Sequence, residues 1–466
     1  MIRAGGPPRR REDFHPLLRV IRGELIARGG AGYEEARRAY NAMIDRHPRA
    51  IVRCADAADV LACVRFAREH ALTVSIRGGG HNAAGLGVAD DALVIDLSDM
   101  RAIDVDPVMR RVRVEGGCLW RDVDRATHAH GLAVPSGILA STGVGGLTLG
   151  GGTGHLTRRY GLTIDSLISA EVVLANGHLV TASEGSHADL FWALRGGGGN
   201  FGVVTSFEFR AHPVGDVVAG PILFPIERVT EVLRVYRDWC PRVNVDMTAF
   251  FAALTVPPAP PFPEELHGQT MCGVVACYLG TEESAGRALE PITELGPAFS
   301  HVGVIPFPAL QSFFDPLYPP GYQWYWRGDF IRELTDEAIE AHAAFSARMP
   351  SPFSTMHLYP IDGAVHRVGE DETAFRFRDA LWSEVIVGVD PDPGNAAKIT
   401  SWTKAYHEAV HPHAAGGGYV NFLMDEGEER VRATYGENYE RLAEVKAAYD
   451  PDNFFHVNQN VRPAGS

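Results

Sequence analysis

The sequence is short of cysteine, of basic residues and of long apolar runs. Six cysteines in 466 residues are too few for a disulfide framework, and no CxxC pair could hold zinc, so we expect free, buried thiols and no metal site. No run of about 18 apolar residues could form a transmembrane helix. The basic amino terminus, residues 1–18, is not followed by the apolar segment of a signal peptide. We therefore expect a soluble cytoplasmic protein without a membrane partner.

The deficit of basic residues also limits the partners. Lysine and arginine total 43 against 58 acidic residues, which gives a net charge of −15. Such a surface repels a polyanion, so nucleic acid is excluded as a partner. The length exceeds that of one ordinary domain, and a 45% hydrophobic content is enough for a large core. We expect a multidomain protein acting on a small molecule, and the sequence does not indicate its oligomeric state.

The pattern of helices and strands divides the chain. Helical and strand periodicities alternate through the first 210 residues, and Asn176-Gly177 predicts a type I′ hairpin turn. From residue 214, prolines and aromatic residues increase, and helical patterns alternate with strands typical of an antiparallel sheet backed by helices. We therefore predict an α+β fold with a first domain over 1–213, a second over 214–416, and a C-terminal segment over 417–466.

Glycine is abundant, at 50 residues, and clusters in three segments, residues 76–85, 140–155 and 195–205. In the first, three consecutive glycines after an apolar strand can point backbone N–H groups at a pyrophosphate. A Rossmann fingerprint is excluded because no long helix follows. The second segment is compatible with a planar ligand or with close packing of two backbones. Together the three clusters indicate one large phosphate-bearing cofactor.

Five motifs carry a family resemblance. They are RGGGHNAAG (77–85), STGVGGLTLGGGTG (141–154), YGLTIDSL (160–167), DLFWALRGGGGNFGVVT (189–205) and the tail that runs from YVNF (419–422) to HVNQNV. The chain resembles the berberine bridge enzyme-like and 6-hydroxynicotine oxidase group of the vanillyl-alcohol oxidase superfamily. The resemblance implies a PCMH-type FAD-binding domain of two α+β subdomains, rejoined by the C-terminal segment, with an antiparallel-sheet substrate domain over the isoalloxazine ring.

The resemblance also implies which residues bind FAD. His81 occupies the position of covalent attachment to the flavin 8α-methyl group, with phosphate binding as the alternative role. Leu139 stands where bicovalent members have a cysteine, so one covalent link is expected. The implied FAD-binding residues are Arg77, Gly78, Gly79, Gly80, His81, Asn82, Ser141, Thr142, Gly145, Gly146, Gly150, Gly151, Val204, Tyr419, Asn421 and Asn458.

A flavin oxidase needs a base to remove the proton from the substrate oxygen or nitrogen. Family members often use the second tyrosine of a YxNY motif, which is Phe422 here. We expect Glu384 to replace it, because this strand resembles one that carries a substrate-facing glutamate in the family. Period-2 geometry places Glu384 on one face with Trp382 and Ile386, and burial would raise its pKa. Tyr419 is the second candidate.

For several other residues of the second domain, a structural role is at least as well supported by the sequence as a functional one. His357 and His366 are expected to be structural or solvent-facing. Tyr322, Trp324 and Trp326 share one strand face that can wall a pocket for a flat, aromatic or polycyclic substrate, although plain cores also contain such strands. Arg327 and Asp329 are as readily a surface ion pair as substrate anchors.

The sequence therefore predicts an FAD-dependent oxidase. It would oxidise a C–O or C–N bond of a small or secondary metabolite by hydride transfer to flavin N5 and reduce molecular oxygen to hydrogen peroxide. Two alternatives stay open, a flavin-bound cyclase or isomerase without net redox change, and a non-catalytic flavin- or ligand-binding protein.

Overall fold

A computed structural model describes residues 14–465, and the basic segment over residues 1–13 lies outside the described residues. The first sheet has four strands in the order β1-β2-β4-β3. β2, β4 and β3 are parallel, and β1 is antiparallel to β2. Asp56 caps the helix that packs on this sheet, accepting hydrogen bonds from the backbone N–H groups of Ala58 and Asp59. The strands are β1 (Glu24–Ala27), β2 (Ala50–Arg53), β3 (Val74–Arg77) and β4 (Leu93–Asp96).

The second sheet is antiparallel, in the order β5-β6-β10-β8-β9. The turn between β8 and β9 differs from the expected type I′ turn, because Gly177 has a positive φ (74°) and Asn176 does not. Asn176 instead accepts a hydrogen bond from the His178 N–H group. A short pair, β7 with β11, lies beside this sheet. The strands are β5 (Ile103–Asp106), β6 (Arg111–Glu115), β7 (Leu132–Ala133), β8 (Leu167–Val173), β9 (Leu179–Ser183), β10 (Val203–Arg210) and β11 (His212–Pro213).

The third sheet has nine antiparallel strands. Its order is β15-β12-β14-β13-β19-β20-β17, with β16 paired to β12 and β18 paired to β20. The strands are β12 (Asp216–Pro225), β13 (Met247–Thr255), β14 (Thr270–Tyr278), β15 (Phe299–Ser300), β16 (Gly303–Pro306), β17 (Gln323–Arg327), β18 (Phe330–Ile331), β19 (Thr355–Pro360) and β20 (Trp382–Asp390).

The helices of the described chain are distributed over the three sheets. They are α1 (His15–Leu18), α2 (Tyr33–Ala36), α3 (Ala57–Glu69), α4 (Trp120–His128), α5 (Val144–Gly150), α6 (Thr157–Tyr160), α7 (Ala188–Leu194), α8 (Val229–Trp239), α9 (Glu282–Thr293), α10 (Phe307–Gln311), α11 (Asp336–Ser346), α12 (Ala396–Val410), α13 (Glu428–Tyr435) and α14 (Tyr439–Tyr449). None of the helices within residues 14–465 is long and apolar enough to cross a membrane.

The third sheet is buried on both faces. On one face, Trp382 and Ile386 of β20 share an apolar core with residues of α8, α9, α11 and α12. On the other face, Val385 and Val387 share a core with Tyr40, Ala83 and Ile138 of the N-terminal half. The face without helices is thus turned toward the glycine-rich segments.

The C-terminal segment returns to the second sheet. Val431, Tyr435 and Leu442 share an apolar core with residues of β6, β8 and β10. The first two sheets use residues 24–210 and the third uses 216–390, while the domain boundaries at 213 and 416 stay a prediction. The α+β class is confirmed.

Candidate cofactor site and active site

A cavity of about 310 Å³ lies between the glycine-rich segments and the helix-free face of the third sheet. The backbones of all three glycine clusters contribute to its wall, as do aromatic side chains of the third sheet and the C-terminal segment. The expected FAD-binding residues that line it are Arg77, Gly78, Gly79, Gly80, His81, Asn82, Thr142, Gly145, Gly146, Val204, Tyr419, Asn421 and Asn458. The four expected site residues Ser141, Gly150, Gly151 and Glu384 do not line it.

Glycine serves two purposes around this cavity. A Cβ atom on Gly79 would lie 2.5 Å from the Gly143 backbone, so the first two clusters pack directly against each other. A Cβ atom on Gly146 or Gly199 would meet nothing within 4 Å, although both residues line the cavity. A ligand can therefore approach their backbone closely. Close packing of two backbones is therefore observed at Gly79, while the planar-ligand interpretation of the second cluster stays a prediction.

The three glycine-cluster residues outside the cavity support its wall. A Cβ atom on Gly150 would overlap the Asn421 side chain. Gly151 has a φ of +130°, in the region that glycine adopts without strain. The Ser141 hydroxyl donates a hydrogen bond to Asp315 Oδ1 at 3.1 Å and so joins the second cluster to the second domain.

His81 is half-buried beside the cavity. Its ring stacks on Tyr40 with the centroids 4.0 Å apart, and its Nε2 has no hydrogen-bond partner among the described residues. Burial lowers the pKa of His81 to about 4, so the imidazole is neutral near pH 7. Tyr40 itself donates a hydrogen bond to the Tyr318 carbonyl at 2.7 Å. The second domain therefore holds the ring that positions His81.

The cationic side chain in the cavity wall is already paired. The Arg77 guanidinium lies 2.5 Å from the Asp96 carboxylate and also donates to the Ala36 carbonyl. The Asn82 carboxamide oxygen accepts a hydrogen bond from the Leu86 N–H group. These side chains shape the loop, which leaves the backbone of residues 78–80 to face a ligand.

Residues of the C-terminal segment hold the second glycine cluster in place through hydrogen bonds. The Tyr419 hydroxyl accepts hydrogen bonds from the Gly152 N–H group and from Asn421 Nδ2, both at 2.7 Å. Asn421 Nδ2 also donates to the Leu147 carbonyl. Burial raises the pKa of Tyr419, so its phenol stays protonated. Asn458 Nδ2 donates to the Gly199 carbonyl at 3.1 Å.

Aromatic side chains form the remaining wall. Trp326 packs edge-on against Phe422 at 6.2 Å, and Tyr359 lies 6.0 Å from Phe422. The indole Nε1 of Trp326 is buried and has no hydrogen-bond partner among the described residues. Trp324 stacks on Tyr318 at 5.6 Å and supports the wall from behind.

His357 of β19 lines the cavity between two tyrosines. Its Nδ1 lies 2.5 Å from the Tyr359 hydroxyl oxygen, and its Nε2 lies 3.3 Å from that of Tyr318. Burial lowers the pKa of His357 to about 3 and raises the pKa of both tyrosines. Burial in the cavity wall excludes a solvent-facing position for His357 and is compatible with the expected structural role.

Glu384 lies on the opposite face of the sheet. It pairs with Leu358 across β19 and β20, and it shares its face with Trp382 and Ile386 in the helix-backed core. The residue is fully buried, and neither carboxyl oxygen has a hydrogen-bond partner among the described residues. The structure therefore does not bring Glu384 to the cavity, and its expected role as a base has no geometric support.

Known proteins align with the whole chain. Residues 48–183 match the FAD binding domain model and residues 418–462 match the berberine and berberine like model. An uncharacterised FAD-linked oxidoreductase of Bacillus subtilis is 33% identical over 453 residues, which cover 95% of this chain and 97% of the relative. This chain belongs to the berberine bridge enzyme-like family of FAD-linked oxidoreductases.

Two further relatives of this FAD-linked oxidoreductase have named activities. Xylooligosaccharide oxidase of Thermothelomyces thermophilus is 28% identical, with 99% of this chain and 96% of the relative covered. The crystal structure of 6-hydroxy-D-nicotine oxidase from Arthrobacter nicotinovorans superposes with a TM-score of 0.85 at 26% identity, covering 96% of this chain and 99% of that one. The family resemblance and the oxidoreductase class are thus confirmed.

The residues that line the cavity of this FAD-linked oxidoreductase are suited to bind FAD. Glycine backbone without side chains lines one part of the cavity, as a pyrophosphate needs, and the His81 Nε2 and Asn458 Oδ1 atoms are buried and unpartnered there. Residues 78–80, Gly146 and Gly199 would hold the cofactor through their backbone. His81 and Asn458 would hold it through side-chain atoms.

Arg327 and Asp329 belong to ion pairs with other side chains and not with each other. Arg327 pairs with Glu426 rather than with Asp329. Asp329 is fully buried and accepts contacts from Arg430 (2.5 Å), His407 (3.0 Å) and His411 (2.9 Å). The Asp329, His407 and His411 ligand atoms lie within 4.8 Å of one another, at distances that suit ion pairs. His366 Nε2–H donates a hydrogen bond to the Ala380 carbonyl at 2.9 Å.

Several cavity residues of this FAD-linked oxidoreductase were not predicted individually from the sequence. Tyr359 follows His357 at the spacing that places both on one strand face, which is a signal that period-2 reasoning can use. Tyr318 comes from a loop after a 3-10 turn and carries no such signal. The other missed lining residues include Ile138, Gly198, Gly199, Asn200, Val385, Val387 and Gln459.

Proposed function

We propose that this chain is an FAD-dependent oxidase that oxidises a C–O or C–N bond of a small or secondary metabolite. FAD, when bound, accepts a hydride from the substrate carbon at N5. The chain's residues hold the substrate carbon near the ring, take the proton from the attached oxygen or nitrogen, and exclude water. Molecular oxygen then receives the two electrons and two protons as hydrogen peroxide.

One observation carries this proposal. A single cavity is lined both by side-chain-free glycine backbone, which suits a dinucleotide, and by Trp326, Tyr359 and Phe422, which suit an organic substrate. A protein that only stored a flavin would not need the second part of the wall. The oxidase names of two full-length relatives support the same conclusion.

We propose that His81 carries the flavin through a covalent bond at the 8α carbon. A neutral imidazole nitrogen with no hydrogen-bond partner is free to form such a bond, and the half-buried His81 lines the cavity wall. Leu139 lines the same cavity and has no group that could form a second link. One covalent attachment is therefore proposed.

We propose a flat, uncharged substrate with a hydrogen-bond acceptor. The wall near Phe422 is aromatic, and Trp326 offers an unpartnered N–H group. Arg77 is the permanently charged side chain among the described residues of the cavity wall, and Asp96 neutralises it. A charged substrate would find no partner for its charge, which makes its burial costly.

The experiment is acid precipitation of the purified protein, followed by the mass of the peptide that contains His81. We expect yellow colour in the pellet and one FAD added to that peptide. His81→Ala should release the FAD into the supernatant, while His178→Ala, at an exposed histidine in the β8–β9 turn, should retain it. FAD held covalently in His81→Ala would refute the tether, and a colourless protein would refute the flavoenzyme.

A second measurement addresses the reaction. A panel of 4-methoxybenzyl alcohol, 6-hydroxynicotine and xylobiose is mixed with the protein without oxygen, and absorbance at the flavin maximum is followed. Bleaching, with peroxide released when air is admitted, is the expected result for at least one compound. Conversion of a compound without bleaching would favour a non-redox cyclase or isomerase instead.

A further inference from the structure

The cavity lacks the phenol that a tyrosine at position 422 would provide. Phe422 lies there between Tyr419, at 4.9 Å, and Tyr359, at 6.0 Å between ring centroids. The Tyr419 hydroxyl already accepts two hydrogen bonds that hold the glycine loop, so this phenol is committed to structure. Tyr359 is thus the phenol beside Phe422 that is connected to a proton acceptor.

Tyr359 and His357 form a connected pair on the cavity face of β19. The Tyr359 hydroxyl oxygen and His357 Nδ1 are 2.5 Å apart. On the other side of the imidazole, Nε2 faces the Tyr318 hydroxyl at 3.3 Å, and that hydroxyl also contacts Thr355 Oγ1 at 3.2 Å. Both imidazole nitrogens therefore have a hydroxyl partner.

The charge state suits proton acceptance. Burial holds His357 in its neutral form near pH 7, and a neutral imidazole has one free lone pair and one N–H group. With Nε2–H donating to Tyr318, Nδ1 accepts from Tyr359. As a hydride leaves the substrate carbon, the attached hydroxyl becomes a protonated carbonyl, which is a far stronger acid than imidazolium. A weakly basic histidine is then sufficient.

We propose that Tyr359 is the catalytic residue that takes the substrate proton and that His357 is the positioning residue that receives it in turn. This inference rests on the proposed oxidase function. The substrate O–H bond breaks as Tyr359 Oη gains that proton, and the Tyr359 proton moves to His357 Nδ1. The substrate loses one hydride to FAD and one proton to His357. The hydrogen and two electrons of that hydride, together with the proton held by His357, would convert one molecule of oxygen into hydrogen peroxide.

The test compares Tyr359→Phe and His357→Gln with the wild type. Glutamine keeps a donor and an acceptor between the two tyrosines but cannot take up a proton, so it separates proton transfer from support. Tyr325→Phe is the matched control, because Tyr325 lies on β17 outside the cavity and bonds Arg327. Flavin reduction without oxygen is measured from pH 6 to pH 10 with the panel compound that bleaches the wild type fastest.

We expect both variants to keep their bound flavin and to reduce it about 10²-fold or more slowly. Their rates should rise tenfold per pH unit, because hydroxide must then remove the proton, while the wild type and Tyr325→Phe change little with pH. A wild-type rate in His357→Gln would overturn the relay. If no panel compound bleaches the wild type, the relay is decided by the measurement without substrate that follows.

A measurement without substrate tests the hydrogen bond between Tyr359 and His357 and the charge state of the imidazole. In protein labelled with nitrogen-15 histidine, the His357 ring signals should report a neutral, hydrogen-bonded imidazole near pH 7, and Tyr359→Phe should shift the Nδ1 signal. Ring signals of a protonated imidazole, or an Nδ1 signal that does not respond to Tyr359→Phe, would overturn the relay whatever the activity.

Discussion

At the scale of single residues, burial decides which groups can exchange protons. Glu384 is fully buried without a hydrogen-bond partner among the described residues, and this burial, with Asp329 nearby, raises its pKa well above the usual value. It is therefore a neutral acid in the helix-backed core. Such an acid affects stability rather than the reaction, because it has no contact with the cavity.

Glu384→Gln should stabilise the protein more at pH 8 than at pH 5. The raised folded-state pKa means that the unfolded chain ionises first, so wild-type stability is highest below about pH 4.5 and is lost as pH rises toward the folded-state pKa. This loss amounts to about 1.4 kcal/mol per pH unit while the folded carboxyl stays protonated. The check is the difference in melting temperature between variant and wild type at the two pH values.

An equal difference at both pH values would mean that Glu384 is ionised in the folded protein. The rate of flavin reduction is the internal control, and it should stay within about twofold of the wild type. A loss comparable to that of a missing base, about 10²-fold, would return Glu384 to the catalytic machinery.

Glu384 shows which part of the site could be predicted from the sequence and which part could not. Period-2 reasoning placed Trp382, Glu384 and Ile386 on one face, and the structure agrees. It could not choose the face that meets the cofactor, because every residue of β20 is buried and no alternation of polar and apolar residues marks an outside. Tyr318 was beyond prediction for another reason, since only tertiary packing brings that loop residue to His357.

At the scale of elements, a glycine-rich segment shows that helix propensity alone does not predict every helix. Residues 144–150 form helix α5 although they contain three glycines, and nothing in the sequence predicted a helix there. Contacts from other elements stabilise it, since Tyr419 bonds Gly152 and Asn421 bonds the Leu147 carbonyl. The cofactor motifs were recognisable in the sequence because their glycines are required by close approach, which leaves a compositional mark.

A buried ion-pair cluster joins three other elements. Asp329, in the turn between β17 and β18, accepts a hydrogen bond from Arg430 on α13 and lies 3.0 Å from His407 Nε2 on α12. The Arg430 guanidinium also donates to the Gly328 carbonyl at 2.7 Å. The cluster therefore ties the C-terminal segment, which carries Tyr419 and Asn421, to the second domain.

Asp329→Asn should destabilise the protein by about 3–5 kcal/mol, because it removes the buried carboxylate that lies 2.5 Å from the Arg430 guanidinium and leaves that guanidinium with the longer, 3.5 Å contact to Glu426. Asp379→Asn is the matched control, since the Asp379–Arg332 pair is exposed and should contribute less than about 1 kcal/mol. Urea denaturation gives both values. Similar losses in the two variants would mean that the Asp329 cluster contributes no more than a surface pair.

At the scale of the whole molecule, a chain of net charge −15 must bind an anionic dinucleotide. The one arginine of the described cavity wall is paired with Asp96, so cationic side chains do not supply the attraction. Backbone N–H groups of the glycine loops are the remaining donors, and they act at short range with fixed geometry. Recognition should then depend on the pyrophosphate itself rather than on overall charge.

This reasoning predicts the order in which flavins stabilise the protein. In the His81→Ala variant freed of flavin by dialysis, FAD should raise the melting temperature most, with FMN and riboflavin well behind, because a ligand that binds the folded state stabilises it according to its affinity. The FAD effect should change little between low and high salt, since screening weakens free charges more than hydrogen bonds in a cavity. Equal shifts with FAD and FMN would mean that the glycine loops do not hold the pyrophosphate. A steep loss with salt would point instead to unpaired cationic groups, which would require Arg77 to leave Asp96 when the cofactor binds.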